Sequence, residues 1–389
     1  MNLDAEALVV GGGPVGLFLA LSLLHEGVDV RVIERAEQPR AGSRSIGVHP
    51  PSIELFDEMG LSDRLIERGV RVRRGRAFGA DGALGVVDFS ACPAPHRYVL
   101  AVPQDETERV LREALSDRAP GALTVGEARS VQQDGRTVTV GIRAAGRDVA
   151  SRAAVVIGCD GKRSAVRAAL DIPFDGATYP GTYAMADFPD ETALGDDAAI
   201  YLDRAGLVES FPLPHRVRRW VARVGDDMAT PAAGADETVA ALAARVGRRC
   251  GASLDVARAS RPSLFRAERR LARTLSAGRV ALAGDAAHVV SPIGGQGMNL
   301  GWMGARLLAS DLATALRRGG SVQDVLTANG SVRKRVARAA ARRAELNMWL
   351  GRPGSFPVVR DLLLRGLLHR PLVDVFSRLF TMRGLALGV

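Results

Sequence analysis

The glycine-rich turn near the N-terminus constrains the fold more than any other feature of this chain. Ala7-Leu8-Val9-Val10 is a short apolar run without polar alternation, the pattern of a parallel strand covered on both faces. It leads into Gly11-Gly12-Gly13-Pro14-Val15-Gly16, which contains G-x-G-x-x-G, and then into a helical stretch from Val15 to His25 that Gly27 closes. A second apolar strand, Val28 to Ile33, ends in Glu34, 18 residues beyond Gly16. The glycines have separate duties. Gly11 permits the tight turn, Gly13 lets a pyrophosphate approach the backbone, and Gly16 allows close packing of helix on strand. With Pro14 and Val15 opening the helix, its exposed N–H groups hold the anion. A carboxylate at Glu34 suits a ribose with a free 2′-hydroxyl, so the residues point to FAD or NAD rather than NADP. The stretch from Ala7 to Leu24 is long enough to span a membrane, but four glycines and Pro14 interrupt it where a strand turns into a helix. A water-soluble α/β start is the expectation.

Two later segments repeat the strand-then-turn pattern. Ala154-Val155-Val156-Ile157 runs into Gly158-Cys159-Asp160-Gly161, followed by Ser164 and Arg167. Val280-Ala281-Leu282-Ala283 runs into Gly284-Asp285-Ala286-Ala287-His288, then Pro292-Ile293-Gly294-Gly295-Gln296-Gly297-Met298-Asn299. An aspartate directly after a strand is well placed to accept hydrogen bonds from ribityl or ribose hydroxyls. Backbone N–H groups at Gly294 to Gly297, with a helix start behind them, suit a ring that can carry negative charge.

These three motifs together, Gly11 to Gly16, Asp160 to Arg167 and Gly284 to Asn299, resemble the single-component FAD-dependent monooxygenases of the para-hydroxybenzoate hydroxylase type, and are similar to those of the aromatic polyketide hydroxylases. Glu34-Arg35, Arg44 at the head of Arg44-Ser45-Ile46-Gly47-Val48, and Pro103-Gln104 before a helix extend the likeness over most of residues 5 to 316. One departure is visible: the helix after Asn299 lacks the aspartate that the family usually carries near Met303 or Gly304.

The resemblance implies an α/β fold in which a Rossmann-like FAD-binding domain (1–75, 97–172 and 269–316) is discontinuous. A β-sheet substrate domain (76–96 and 173–268) is inserted into it, and a helical region (317–389) follows. It also implies that NADPH or NADH acts as a transient co-substrate and that one oxygen atom of O2 reaches the substrate through a flavin C4a-hydroperoxide. The substrate would be an aromatic or polyketide-like natural product. By the same resemblance Gly11, Gly13, Gly16, Glu34 and Arg35 would hold the ADP half of FAD. Arg44, Gln104, Asp160 and Gly161 would line the pyrophosphate and ribityl region, and Asp285 would bind the ribityl chain. Gly295, Gly297, Met298 and Asn299 would face the pyrimidine end of the ring. Pro292, Gly294 and Gly295 would lie at the flavin edge, with Pro292 beside C4a. The longer polyketide hydroxylases carry a thioredoxin-like C-terminal domain, for which a chain ending at Val389 is too short.

The substrate is expected against the middle of the chain, roughly residues 173 to 268, where Tyr183, Tyr201, His215 and Trp220 are pocket candidates; His49 and Tyr98, earlier in the chain, join His215 as residues that could take a proton. An aromatic on a strand serves the core more often than a pocket, and no general base is singled out. A flavin-dependent halogenase would need a Trp-x-Trp-x-Ile-Pro segment, whereas Trp220, Trp302 and Trp349 stand apart. A flavin reductase, an epoxidase, a Baeyer–Villiger enzyme and a non-catalytic binding protein share the scaffold and stay open at this point.

Composition excludes less. Of 52 basic residues only Lys162 and Lys334 are lysines, and the arginines run evenly from Arg31 to Arg383, giving net charge +9 without a concentrated patch. Nucleic-acid binding is therefore not expected. Cys92, Cys159 and Cys250 match no metal-ligand or disulfide spacing, and Met1 to Glu6 carries no basic leader, so a reducing, cytoplasmic setting without a metal is expected. Arg333 to Arg343 reads as a solvated basic helix face. Phe356 to Leu387 reads as packing over the flavin domain, with a homodimer contact or a membrane-surface helix as alternatives. Asp226 to Asp236 reads as a surface loop.

Overall fold

The computed structural model describes residues 3–39, 45–203, 206–224, 234–291, 293, 295–350, 357–369 and 372–383. Its first sheet gathers strands that are far apart in sequence, in the spatial order Ser276–Ala277, Val280–Leu282, Arg147–Gly158, Ala5–Val10, Val30–Glu34 and Leu123–Val125. Apart from the edge pair of Ser276–Ala277 with Val280–Leu282, neighbours along this row are parallel. The register fixes the site. Val10 lies opposite Gly158, and Gly158 lies opposite Leu282, so three strands end at one level. Cys159 N–H donates to Val10 O at 2.7 Å and Ala283 N–H to Gly158 O at 2.9 Å, which carries the alignment into the turns. Ligands of such sheets bind beyond the carboxyl ends of the strands.

The first helix, Pro14–His25, is buried from Gly16 to Leu23. It is apolar all round because the sheet covers one side and the 23-residue helix Gln296–Arg318 covers the other. Trp302 Nε1 donates to Pro14 O at 3.0 Å, and its ring meets Phe56 edge-on at 5.1 Å. Truncating a side chain such as Leu19 here would cost about 2–5 kcal/mol, since nothing could collapse into the space.

The second sheet has eight strands in the order His288–Val289, Ser263–Ala272, Phe174–Pro189, Val217–Val224, Gly206–Leu213, Ala198–Asp203, Arg74–Gly79 and Gly82–Asp88. Residues 74–88 thus join 174–272 in one sheet. The same sheet runs on through Ala272 to His288–Val289, which pairs with the end of the Ser263–Ala272 strand. The helix Ala235–Cys250 covers one face through Val239, Leu242 and Val246, which pack with Trp220, Ala222 and Val208. The other face looks into a cleft.

Two expectations about the C-terminal helices need correction. Arg333 is not on a solvated face: it is 3% exposed, its Nη1 donates to Leu282 O at 2.7 Å and its Nε to Asn329 Oδ1 at 2.6 Å. A strand end abutting a helix leaves a carbonyl that needs a donor, and the long guanidinium reaches it. Arg335, Arg338 and Arg342 do face outward. The helices Pro357–Leu367 and Leu372–Phe380 pack on the Gly82–Asp88 strand of the second sheet, not over the first. Arg360 anchors them by donating to Leu202 O at 3.0 Å, with Asp361 as its ion partner at 2.9 Å. Most of the Asp226 to Asp236 loop, residues 226–233, lies outside the described residues. Among the described residues no helix is long and apolar enough to cross a membrane.

Candidate active site

One elongated cleft of about 970 Å³ runs from the glycine-rich turn to the open face of the second sheet, and Glu34, Asp160 and Asp285 all line it. At its first end stands the Gly11–Gly13 turn. A Cβ on Gly11 would lie 2.4 Å from Cys159 O, and one on Gly16 would lie 1.9 Å from Gly11 O, so these two positions are closed by packing. A Cβ on Gly13 would meet nothing within 4 Å. That backbone faces open cleft, where an elongated anion can lie against it. Neither the Pro14–His25 helix nor the Gln296–Arg318 helix has a side-chain cap, which leaves first-turn N–H groups of both directed at the cleft.

Glu34 is held in place by the Gly12 N–H on Oε2 at 2.6 Å and the Ala36 N–H on Oε1 at 2.9 Å. Arg35 lies on the same wall, and so do three residues of the helix Gln104–Arg118. Gln104, Glu108 and Arg112 recur every four residues and form one stripe facing the cleft. Gln104 Nε2 donates to Glu108 Oε1 at 2.8 Å, while burial raises the Glu108 carboxyl above its ordinary range. Sequence reasoning found Gln104 alone; the four-residue spacing was the signal for the other two.

In the middle of the cleft, Asp160 Oδ2 caps the short Ala165–Ala169 helix, accepting from Ala165 and Val166 N–H at 2.7 and 3.1 Å. Among the described residues its buried Oδ1 has no partner. Gly161 and Asp285 flank it. Further along, Gly295 takes a left-handed conformation (φ 64°) and turns the chain into the Gln296–Arg318 helix, so that Gly295, Gly297 and Met298 line the cleft. Asn299 does not line it. The side chain is fully buried behind the wall, where Oδ1 accepts His49 N–H at 2.8 Å and Nδ2 donates to Gly47 O and Gly295 O, both at 2.8 Å. Its part is to staple the 45–49 segment to the helix start. Arg44, Pro292 and Gly294 lie outside the described residues.

The far end of the cleft is the second sheet, and here strand alternation sorts the pocket candidates. The cleft face carries Met185, Ile200, Leu207, Glu209, Phe211, Arg219, Val221 and Phe265. Trp220 and Tyr201 point the other way, toward the Ala235–Cys250 helix, with Tyr201 stacked on Phe78 at 4.8 Å. Tyr183 is buried in stacking on Phe265 at 5.6 Å and does not reach the cleft surface. Tyr98 packs into the first core and pairs its hydroxyl with His96 Nδ1 at 3.2 Å. His215 sits exposed in a tight turn at φ 62°. Of the six candidates only His49 borders the cleft. Leu364, Leu368 and Phe380 from the C-terminal helices close this end.

Sequence reasoning missed Glu209, a carboxyl on an otherwise apolar strip of the cleft wall. The signal was present in Leu207-Val208-Glu209-Ser210-Phe211, where alternation sets an acid on the same face as two large apolar side chains.

A parallel sheet with three glycine or aspartate turns on one level, two uncapped helix starts and an unpartnered aspartate oxygen fits an extended flavin dinucleotide. These features define a flavin-binding protein. The chain belongs to the FAD binding domain family, whose model matches residues 4–344. The 6-methylpretetramide 4-monooxygenase of Streptomyces rimosus is 34% identical over 325 residues, which cover 80% of this chain and 56% of that protein. Pentachlorophenol 4-monooxygenase of Sphingobium chlorophenolicum is 33% identical over 342 residues, 86% of this chain and 62% of that one. The crystal structure of p-nitrophenol 4-monooxygenase from Pseudomonas putida DLL-E4 superposes with a TM-score of 0.89 at 25% identity, covering 99% of both chains. The chain spans less than two thirds of the length of the first curated relatives it matches.

Proposed function

We propose that this chain is a monooxygenase that draws electrons from NADPH or NADH through FAD and adds one atom of O2 to a phenolic, aromatic or polyketide-like substrate. The observation that carries the reading is the single cleft joining the dinucleotide turns to an apolar sheet wall. Bound FAD would supply the redox chemistry and the activation of O2. The protein's contribution is position and exclusion of water. The open backbone at Gly13 and the start of the Pro14–His25 helix would hold the diphosphate, with Pro14 and Val15 beside it. Glu34 would hold the adenosine ribose, with Arg35, Gln104 and Arg112 around the same half. Asp160, Gly161 and Asp285 would receive the ribityl hydroxyls. The N–H groups at Gly295, Gly297 and Met298 would stabilise negative charge on the ring. Ile200, Val221, Met185, Phe265 and the C-terminal Leu364 and Phe380 would enclose the substrate in a dry, apolar space. The relatives' names, which include pentachlorophenol, p-nitrophenol, 6-methylpretetramide and anhydrotetracycline monooxygenases, support a phenolic or polyketide-like substrate.

The test is to load the protein with FAD and follow NADPH and NADH oxidation in the presence of p-nitrophenol, pentachlorophenol and a tetracyclic phenol, with product analysis. The expected result is that at least one phenol accelerates flavin reduction and leaves with one added oxygen atom. Nucleotide oxidation that ignores every phenol, with no oxygenated product, overturns the reading.

A further inference from the structure

The cleft face of the second sheet is apolar around one position. Glu209 lies opposite Ile200 on one neighbouring strand and opposite Val221 on the other, with Leu207 and Phe211 above and below it. It is 5% exposed, and what exposure it keeps is toward the cleft. The other charged groups bordering this space are engaged or lie toward its rim. Arg219, on the adjacent strand and diagonal to Glu209, is bound by both oxygens of Asp187 at 2.6 and 2.8 Å. Arg76 is bound by Asp197 at 2.6 Å. Glu268 is paired with Lys162 at 3.0 Å, Arg266 on the same strand is exposed, and Arg360 is spent on Asp361 and Leu202 O. His49 borders the cleft from the opposite wall.

An unneutralised carboxyl held among aliphatic side chains costs stability unless something else uses it. Structure alone has no use for it here: among the described residues it caps no helix and pairs with no cation. We propose that Glu209 is the group that receives the proton of a substrate hydroxyl at the far end of this cleft. The inference rests on the hydroxylase reading above. In the step, the substrate O–H bond breaks and the proton passes to a Glu209 carboxylate oxygen. The bonding pair stays on the substrate oxygen and enriches the ring for attack by an electrophilic oxygen donor. The proton is given back when the product hydroxyl re-forms, so the step needs no oxidant of its own. The surroundings tune the base for this task. Burial pushes the carboxyl up to about 8, much nearer a phenol than an ordinary carboxylate is. A base matched to its substrate and to the working pH transfers protons with the least mismatch.

The experiment compares FAD-loaded wild type with Glu209→Gln and Glu209→Leu, using p-nitrophenol as a probe because its neutral and ionised forms absorb differently. The first readout is the pH at which bound probe ionises; the second is kcat for product formation across pH. For Glu209→Gln, ionisation of the bound probe is expected to move up by about one pH unit, a tenfold change, because the proton must now leave to solvent from an apolar site. Product formation should fall about 100-fold with KM little changed, and the wild-type rise of kcat toward pH 8 should vanish. Glu209→Leu should behave likewise, with retained FAD reporting that both variants are folded. Probe ionisation and kcat that match wild type in the Gln variant overturn the assignment. So does a loss confined to KM, which would make Glu209 a binding group only, or a wild-type cleft that takes up no probe. The two readings fail separately. If Glu209 governs probe ionisation but no phenol is oxygenated, the hydroxylase reading falls and the Glu209 assignment stands. If phenols are oxygenated equally by wild type and Gln variant, the reverse holds.

Discussion

Asn299 Oδ1 accepts the His49 N–H at 2.8 Å across 250 residues of sequence, while its Nδ2 spans Gly47 O and Gly295 O at the same distance. One fully buried amide therefore fixes the spacing between the 45–49 segment and the left-handed turn that opens the Gln296–Arg318 helix. An amide is needed, because the site asks for an acceptor on one atom and two donated hydrogens on the other. Asn299→Asp keeps the shape and loses both donors, leaving Gly47 O and Gly295 O unpartnered. The expected cost is about 2–3 kcal/mol of stability for two buried carbonyls, read as a lower melting temperature, together with weaker FAD retention on dialysis. An Asn299→Asp protein as stable and as yellow as wild type would contradict the staple.

Gly13 and Gly16 differ by three positions in one motif and should fail in different ways. A side chain on Gly16 would sit on Gly11 O at 1.9 Å, so Gly16→Ala should damage folding itself, with loss of soluble, cooperatively unfolding protein. Gly13 opens onto the cleft with nothing within 4 Å, so Gly13→Val should fold and melt close to wild type yet retain no FAD. Thermal unfolding of the apoproteins separates the two. A yellow Gly13→Val enzyme would remove the diphosphate from that turn.

The three turns were legible because each is written locally: an apolar strand, then a glycine or aspartate at its carboxyl end. Their convergence follows from Val10, Gly158 and Leu282 sharing one level in a parallel sheet. The sheet wall of the cleft was not legible, because a strand with apolar residues on both faces does not say which face a helix will cover. Covering one side with Val239, Leu242 and Val246 took Trp220 and Tyr201 out of the cleft and left Glu209 in it. Of the pocket candidates His49 borders the cleft, while Asn299 lies buried behind its wall. Arg333 was misread because a basic run looks alike whether or not one member reaches a strand-end carbonyl.

Phe380 extends the cleft wall from the C-terminal helices, stacking on Phe89 at 5.8 Å and lying 6.1 Å from the His49 ring. Phe380→Ala should open this end to water. The expected result is unchanged FAD content with a several-fold rise in NADPH oxidation that yields hydrogen peroxide instead of product, since exclusion of water protects the reactive step. Peroxide yield measured against product gives the ratio directly. A ratio equal to wild type would mean that the C-terminal helices close nothing that matters to the chemistry.

Two buried groups should bend the stability profile from opposite sides. Glu209 is pushed up to about 8 by burial, from an ordinary value of 4.5. The folded chain thus binds this proton more tightly than the unfolded one, and stability present below the ordinary value is lost as pH rises through about 8. Glu209→Gln removes that loss, so the variant should gain on wild type by up to a few kcal/mol between pH 5 and 9, counted as ~1.4 kcal/mol per pH unit at most. His288, 5% exposed, is pushed down to about 4 by burial first and by the Arg333 charge second. Its contribution runs the other way: stability present above the ordinary histidine value of 6.5 is lost as pH falls through about 4. His288→Asn should flatten the acid limb between those values while leaving the alkaline limb to Glu209. Denaturant unfolding of the wild type, the two single variants and the double variant at pH 4, 6, 8 and 9 tests both assignments. A Glu209→Gln difference that does not grow with pH would show that its carboxyl ionises freely in the folded protein.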